Sequence, residues 1–138
     1  MGRYLYKAKR LDWREFPEKE QWIIGYYVLG FNEYEQPVHL IFEPTSMFFS
    51  HGETDGWTEI DPSTLCQCTG LKDKNGRLIW ENNIITCMGE TAKVVWDMAE
   101  WRIEFLTHCL WKRDLHFWVS RHSVEVIGNI FDNPELLK

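Results

Sequence analysis

The stretch Thr69-Gly-Leu-Lys-Asp-Lys-Asn-Gly-Arg-Leu-Ile-Trp80, continuing as Glu81-Asn-Asn-Ile-Ile-Thr-Cys-Met88, decides the fold class. Asn75-Gly76 is a strong hairpin signal, because a type I′ turn needs φ > 0 at both central positions. Residues 64–69 and 77–80 read as the strands on either side. Asparagine tolerates left-handed geometry better than most residues, so Asn82-Asn83 predicts a second tight turn. Residues 84–88 and 91–96, joined at Gly89-Glu90, read as the next hairpin. Trp101-Arg-Ile-Glu-Phe105 and the run 123–131 alternate apolar with polar residues, as half-buried strands do. Trp101, Phe105 and Cys109 also stand at helical spacing. A helix over 98–110 is therefore an alternative, and the secondary structure of 97–122 stays open. Short strands separated by tight turns predict a mainly β fold, with a small bent sheet or SH3-like barrel over 63–138.

Working upstream, residues 43–62 hold Pro44, Gly52, Gly56 and Pro62 among polar residues. They read as a long surface loop around a short strand at 57–60, and as the boundary between two parts. Before it, Trp22-Ile-Ile-Gly-Tyr-Tyr-Val-Leu-Gly-Phe31 and Val38-His-Leu-Ile-Phe42 flank the turn Asn32–Pro37 and predict a β-hairpin. Residues 1–20 are polar and read as an arm or edge strand. The N-terminal part is thus an arm, a β-hairpin subdomain and a loop over 1–62, ahead of the core at 63–138.

Composition narrows the function classes. Eight Trp, eight Phe and five Tyr make the chain rich in aromatics, which suit pleated surfaces and protein interfaces. The net charge is −6, and residues 1–69, with 6 basic and 11 acidic side chains, carry −5 of it. That balance does not favour a nucleic-acid surface, which needs clustered cations. The one basic cluster is Arg3, Lys7, Lys9 and Arg10. The leader has no apolar core, Tyr6 breaks a myristoylation pattern, and 22–31 is about half a membrane span. A cytoplasmic protein with free thiols is expected.

The same residues carry a resemblance. The segment 69–80 is similar to the signature TGLKDKNGxxIY of the YopX family, and 81–85 takes the place of its EGDIV. Val94-Val-Trp96 resembles the family's second hairpin. The ending Val124-Glu-Val-Ile-Gly-Asn-Ile-Phe-Asp-Asn-Pro-Glu-Leu136 resembles its VIGNIYENPEL. The likeness covers 65–138 well and earlier residues only around Trp22 and Gly25. It implies an accessory phage or prophage product in a bacterial host, with a barrel-like C-terminal part and no established activity. Its motif residues here are Gly70, Leu71, Asp73, Asn75, Gly76, Trp96, Gly128, Asn129 and Pro134. Turn geometry explains such Gly and Asn positions without a ligand. The replacement of Gly-Asp by Asn82-Asn83 agrees, since a charge-based site would not survive loss of its acid.

Cys66-Gln67-Cys68 puts two thiols on one strand face, but the Cys-x-x-Cys spacing of structural zinc sites is missing, so no metal or cofactor is expected. His108-Cys109 would face opposite sides of a strand, and Ser50-His51 falls in the long loop. Asp97 and Glu100 flank a turn, and no phosphate-binding glycine loop is present. A non-catalytic protein-interaction module is the expectation, with Trp22, Tyr26, Tyr27 and Phe31 presenting a sheet edge to a protein partner or a second copy. The alternative is a single-strand nucleic-acid binder. It would use Trp111, Lys112, Arg113, Phe117, Trp118 and Arg121, where rings and cations interleave.

Overall fold

The computed structural model describes residues 4–43, 56–107 and 113–138. The chain divides into two compact units, one ending at Gln67 and the other beginning at Cys68. In the first, β1 (Tyr6–Lys9), β2 (Trp22–Phe31), β3 (Pro37–Phe42) and β4 (Trp57–Glu59) lie antiparallel in the order β4-β3-β2-β1. The predicted hairpin is β2–β3, with Val28 opposite Leu40 and Tyr26 opposite Phe42.

The polar arm is corrected. Strand β1 is internal, pairing with β2 on one side and with Cys66 and Gln67, the start of β5 (Cys66–Lys72), on the other. Its lysines are accommodated by aromatic faces. The Lys9 ammonium lies 3.9 Å from the Trp13 ring centre and donates to Gln21 Oε1, and Lys7 lies over Trp22. Ring quadrupoles and an amide oxygen offset the cost of covering that charge. Ala8, Ile23, Ile41 and Ile60 form this unit's buried core. Gly25 is required where β2 passes β3, because a side chain there would overlap the Phe42 carbonyl.

The second unit contains the rest of β5, then β6 (Leu78–Trp80), β7 (Asn83–Cys87), β8 (Glu90–Asp97), β9 (Glu100–Phe105), α1 (Leu115–Arg121) and β10 (Val124–Asn129). Its main sheet is antiparallel in the order β10-β7-β8-β9. The mainly β expectation holds, but the barrel does not. The outer strands β10 and β9 do not pair, and no closed barrel forms among the described residues. A helix takes the place of closing strands. Asp114 caps α1 by accepting from the Phe117 N–H at 2.8 Å, and Leu115 and Trp118, three apart, turn inward. They join Ile79, Ile85, Cys87, Ala92, Val94 and Val124 in the larger core. The alternative helix over 98–110 is replaced by β9.

The turns also redistribute. Of Asn75 and Gly76 only Gly76 is left-handed, at φ 80°. The Gly76 N–H donates to Asp73 O and the Asp73 N–H to Arg77 O, which makes a type I turn closed by a left-handed glycine rather than type I′. Two-residue connections with φ > 0 at both positions occur instead at Met88-Gly89 and Met98-Ala99. Asn82 is left-handed, at φ 68°, while Asn83 already begins β7.

Candidate functional site

The Lys-Asp-Lys-Asn-Gly turn is organised by one carboxylate. Asp73 Oδ1 accepts from the N–H groups of Asn75 and Arg77, both at 2.9 Å, and Oδ2 accepts from the Val126 N–H at 3.0 Å. Burial by itself pushes this carboxyl up. The three donors outweigh burial and, helped by Arg77, hold it below the ordinary carboxylate range. The Lys74 N–H donates in turn to Val124 O, so the turn is clipped to β10.

The other signature residues are equally committed to the backbone. Gly70 is left-handed, at φ 82°, within the irregular register of β5 and β6, and Leu71 packs on the larger core. Asn129 Oδ1 accepts from the N–H groups of Phe131 and Asp132, and Asn133 Oδ1 returns a bond to the Asn129 N–H. A side chain at Gly128 would meet Asn133 Oδ1 at 2.5 Å, and Pro134 opens a single 3-10 turn. Asn83 Oδ1 caps the Trp80 N–H. Trp96 differs: it is exposed on β8, edge-on to Trp101 across the hairpin.

The aromatic and basic stretch resolves into a helix face. Trp111 and Lys112 lie outside the described residues. Trp118 is corrected from surface to core: it is 1% exposed and packs edge-on against Phe105. Arg113, Phe117 and Arg121 follow one another at four-residue spacing, and both guanidiniums approach the Phe117 ring, at 4.0 and 5.7 Å. Where α1 ends, Arg121, His122 and Ser123 come beside Lys72 and Lys74 and line an open cleft of about 290 Å³. Lys72, Lys74 and Ser123 carry no local signal that singles them out. Only Asp114 before Leu115 and Trp118 could have marked the helix that assembles this cleft.

In the N-terminal unit the expected sheet edge is corrected to a face: β2 pairs with β1 and β3 and is no edge, and Ile24, Tyr26 and Val28 alternate along it and are all exposed. Their neighbours on that face are Leu40 and Phe42 of β3, and Phe42 packs 4.8 Å from the exposed Trp57. Trp22 sits among Lys7 and Lys9, and Tyr27 is partly buried with its hydroxyl 2.7 Å from His39 Nδ1. Phe31 is 67% exposed near the hairpin tip. Cys66, Cys68 and Cys87 are buried, whereas Ser50, His51, His108 and Cys109 lie outside the described residues. No cluster of three His, Cys, Asp or Glu side chains suited to a metal ion occurs among the described residues. Nor is any helix among them long and apolar enough to cross a membrane.

In a comparison with family models, the one described as YopX protein matches residues 14–138. The chain belongs to the YopX family. The match extends the likeness beyond 65–138 to nearly the whole chain, β2–β3 hairpin included. No curated protein matches this YopX-family chain.

Proposed function

We propose that this YopX-family protein is a non-catalytic interaction module that docks a protein partner on the exposed face of its N-terminal sheet. We place it as an accessory product of a phage or prophage, acting in the cytoplasm of a bacterial host. The reading is carried by the row Ile24, Tyr26 and Val28 with Leu40, Phe42 and Trp57 beside it. Contiguous apolar and aromatic surface of this kind is characteristic of interfaces, where rings supply contact area at small entropic cost. The acid surplus of residues 1–69, −5 in the sequence, favours a partner with an apolar centre and basic residues beside it. It also disfavours a second copy, which would bring acid against acid.

The test compares the wild-type chain with Tyr26→Glu/Val28→Glu, both exposed positions whose replacement should change stability by only about 0.5 kcal/mol or less. Capture from nuclease-treated host lysate, followed by affinity measurement with the purified partner, should show a specific complex weakened at least about tenfold in the variant. A partner that binds both forms equally would remove the sheet face from the reading. A dimer seen by sedimentation and abolished by the same variant would assign the face to a second copy instead.

A further inference from the structure

The cleft at the end of α1 has a charge distribution that the protein-docking reading does not use. Lys72 and Arg121 have no carboxylate within ion-pair distance among the described residues. The one carboxylate in the lining, Asp73, is buried and occupied by three backbone N–H groups, so it is not aimed at a ligand. Lys74 pairs with Glu125 at 3.5 Å, but Lys74 is exposed and Glu125 half-buried, and such a solvent-screened pair is worth little. The acids of β9 are engaged elsewhere, Glu104 with Lys93 and Glu100 with Arg102, and Glu90 of β8 accepts from the Thr107 hydroxyl. A unit that is nearly neutral overall thus concentrates unbalanced cations at one place.

The cations also continue beyond the cleft. Arg121, at the last position of α1, and Arg113, just before its N-cap, both approach the Phe117 ring, at 5.7 and 4.0 Å. One anion filling the cleft would leave Arg113 unused; a chain of anions would reach both. Arginine offers a planar fork for phosphate oxygens, lysine a mobile point charge, and the Ser123 hydroxyl beside them a further donor. Phe117 already carries the two guanidiniums and Trp118 is buried, so the surface is built to read charge rather than bases.

We propose that the cleft of Lys72, Lys74, Arg121 and Ser123 binds a phosphate of a single-stranded nucleic acid, whose backbone continues along α1 to Arg113. A flexible strand can dip into a concave cleft of this size, whereas the stiff backbone of a duplex passes over it. Binding should be insensitive to sequence and steeply weakened by salt.

The experiment titrates the full chain into fluorescein-labelled oligothymidylate at low salt and repeats the titration as salt rises. Lys72→Ala/Arg121→Ala should lower affinity about tenfold or more and flatten the log–log salt slope by about 0.7 for each cation removed. Arg113→Ala should weaken the oligonucleotide a few-fold and leave thymidine monophosphate unaffected. Lys93→Ala, which removes a cation paired with Glu104, serves as the unaffected control. Near-UV circular dichroism of the buried Trp118 confirms that each variant is folded. The proposal is overturned if the oligonucleotide does not bind, or binds the double variant as well as the wild type. It is overturned equally if the mononucleotide or a duplex binds as tightly as the single strand. These outcomes do not depend on the N-terminal sheet face.

Discussion

The two units solve the same problem, covering an antiparallel sheet, to different degrees. The C-terminal unit lays α1 over its sheet and buries Leu115 and Trp118 among aliphatic strand residues. The N-terminal unit buries one face around Ala8, Ile23, Ile41 and Ile60 and leaves Ile24, Tyr26 and Val28 on the other. Antiparallel sheets tolerate one solvated face, but that face is then usually polar. Here it is apolar, and the contrast separates a unit organised for its own stability from one that keeps surface available.

The largest expected effect lies at Trp118. Trp118→Ala should cost about 3–5 kcal/mol by urea denaturation, because a large buried side chain is removed and its site cannot fully collapse. Hydrogen exchange should then show protection lost first in β7 and β8, while the β2–β3 tip is little changed. Protection in the wild type should already be weaker at that tip, where residues 31–37 are all exposed. Equal protection in β2–β3 and β7–β8 would erase the distinction drawn between the units.

Asp73 sharpens it at the next level. In Asp73→Asn the amide cannot accept at both oxygens, so the Val126 N–H or the turn donors lose a partner, at about 1–3 kcal/mol near neutral pH. The sign of the pH dependence follows from the lowered carboxyl. Its stabilisation is fully present above the unfolded value of about 3.9 and is lost as pH falls through the lower folded value. The wild-type advantage over Asp73→Asn should therefore shrink as thermal unfolding is measured at increasingly acid pH. A constant difference would place the effect in packing rather than in the charged carboxylate.

The smallest expected effect runs in the opposite direction. Met98 and Ala99 are both left-handed, at φ 53° and 62°, in the connection of β8 to β9, a conformation in which ordinary residues are strained. Met98→Asn/Ala99→Gly should stabilise the C-terminal unit by about 1–2 kcal/mol, read as a raised denaturation midpoint. An unchanged midpoint would mean that the exposed Met98 side chain compensates the strain.

Much of the fold was legible in the sequence because strands and turns are short-range. The β2–β3 hairpin, the 84–96 hairpin and the alternating strand at 101–105 could be read from period and from punctuation by Gly, Pro and Asn. The exposed Tyr26 was likewise among the aromatics singled out in advance. Turn type was less legible. Asn75-Gly76 suits type I′, but the Asp73 carboxylate, satisfied partly from β10 fifty-three residues away, favours a type I turn ending in Gly76. Among the candidate binding residues, Phe117 and Arg121 share a face only because the segment is helical, Arg113 reaches the same ring from before the N-cap, and Trp118 leaves that face for the core.

By itself, the sequence determined the β class, the hairpin positions and the turn residues of the family signature, since each rests on interactions within a few residues. Tertiary structure decided that β1 is an internal strand, because Trp13, Trp22 and Gln21 shelter its lysines. It decided that α1 covers an open sheet instead of a barrel closing. It also decided that Lys72 and Arg121, forty-nine residues apart, face one cleft. Burial and charge at those places depend on which distant segments meet, and no local period encodes that meeting.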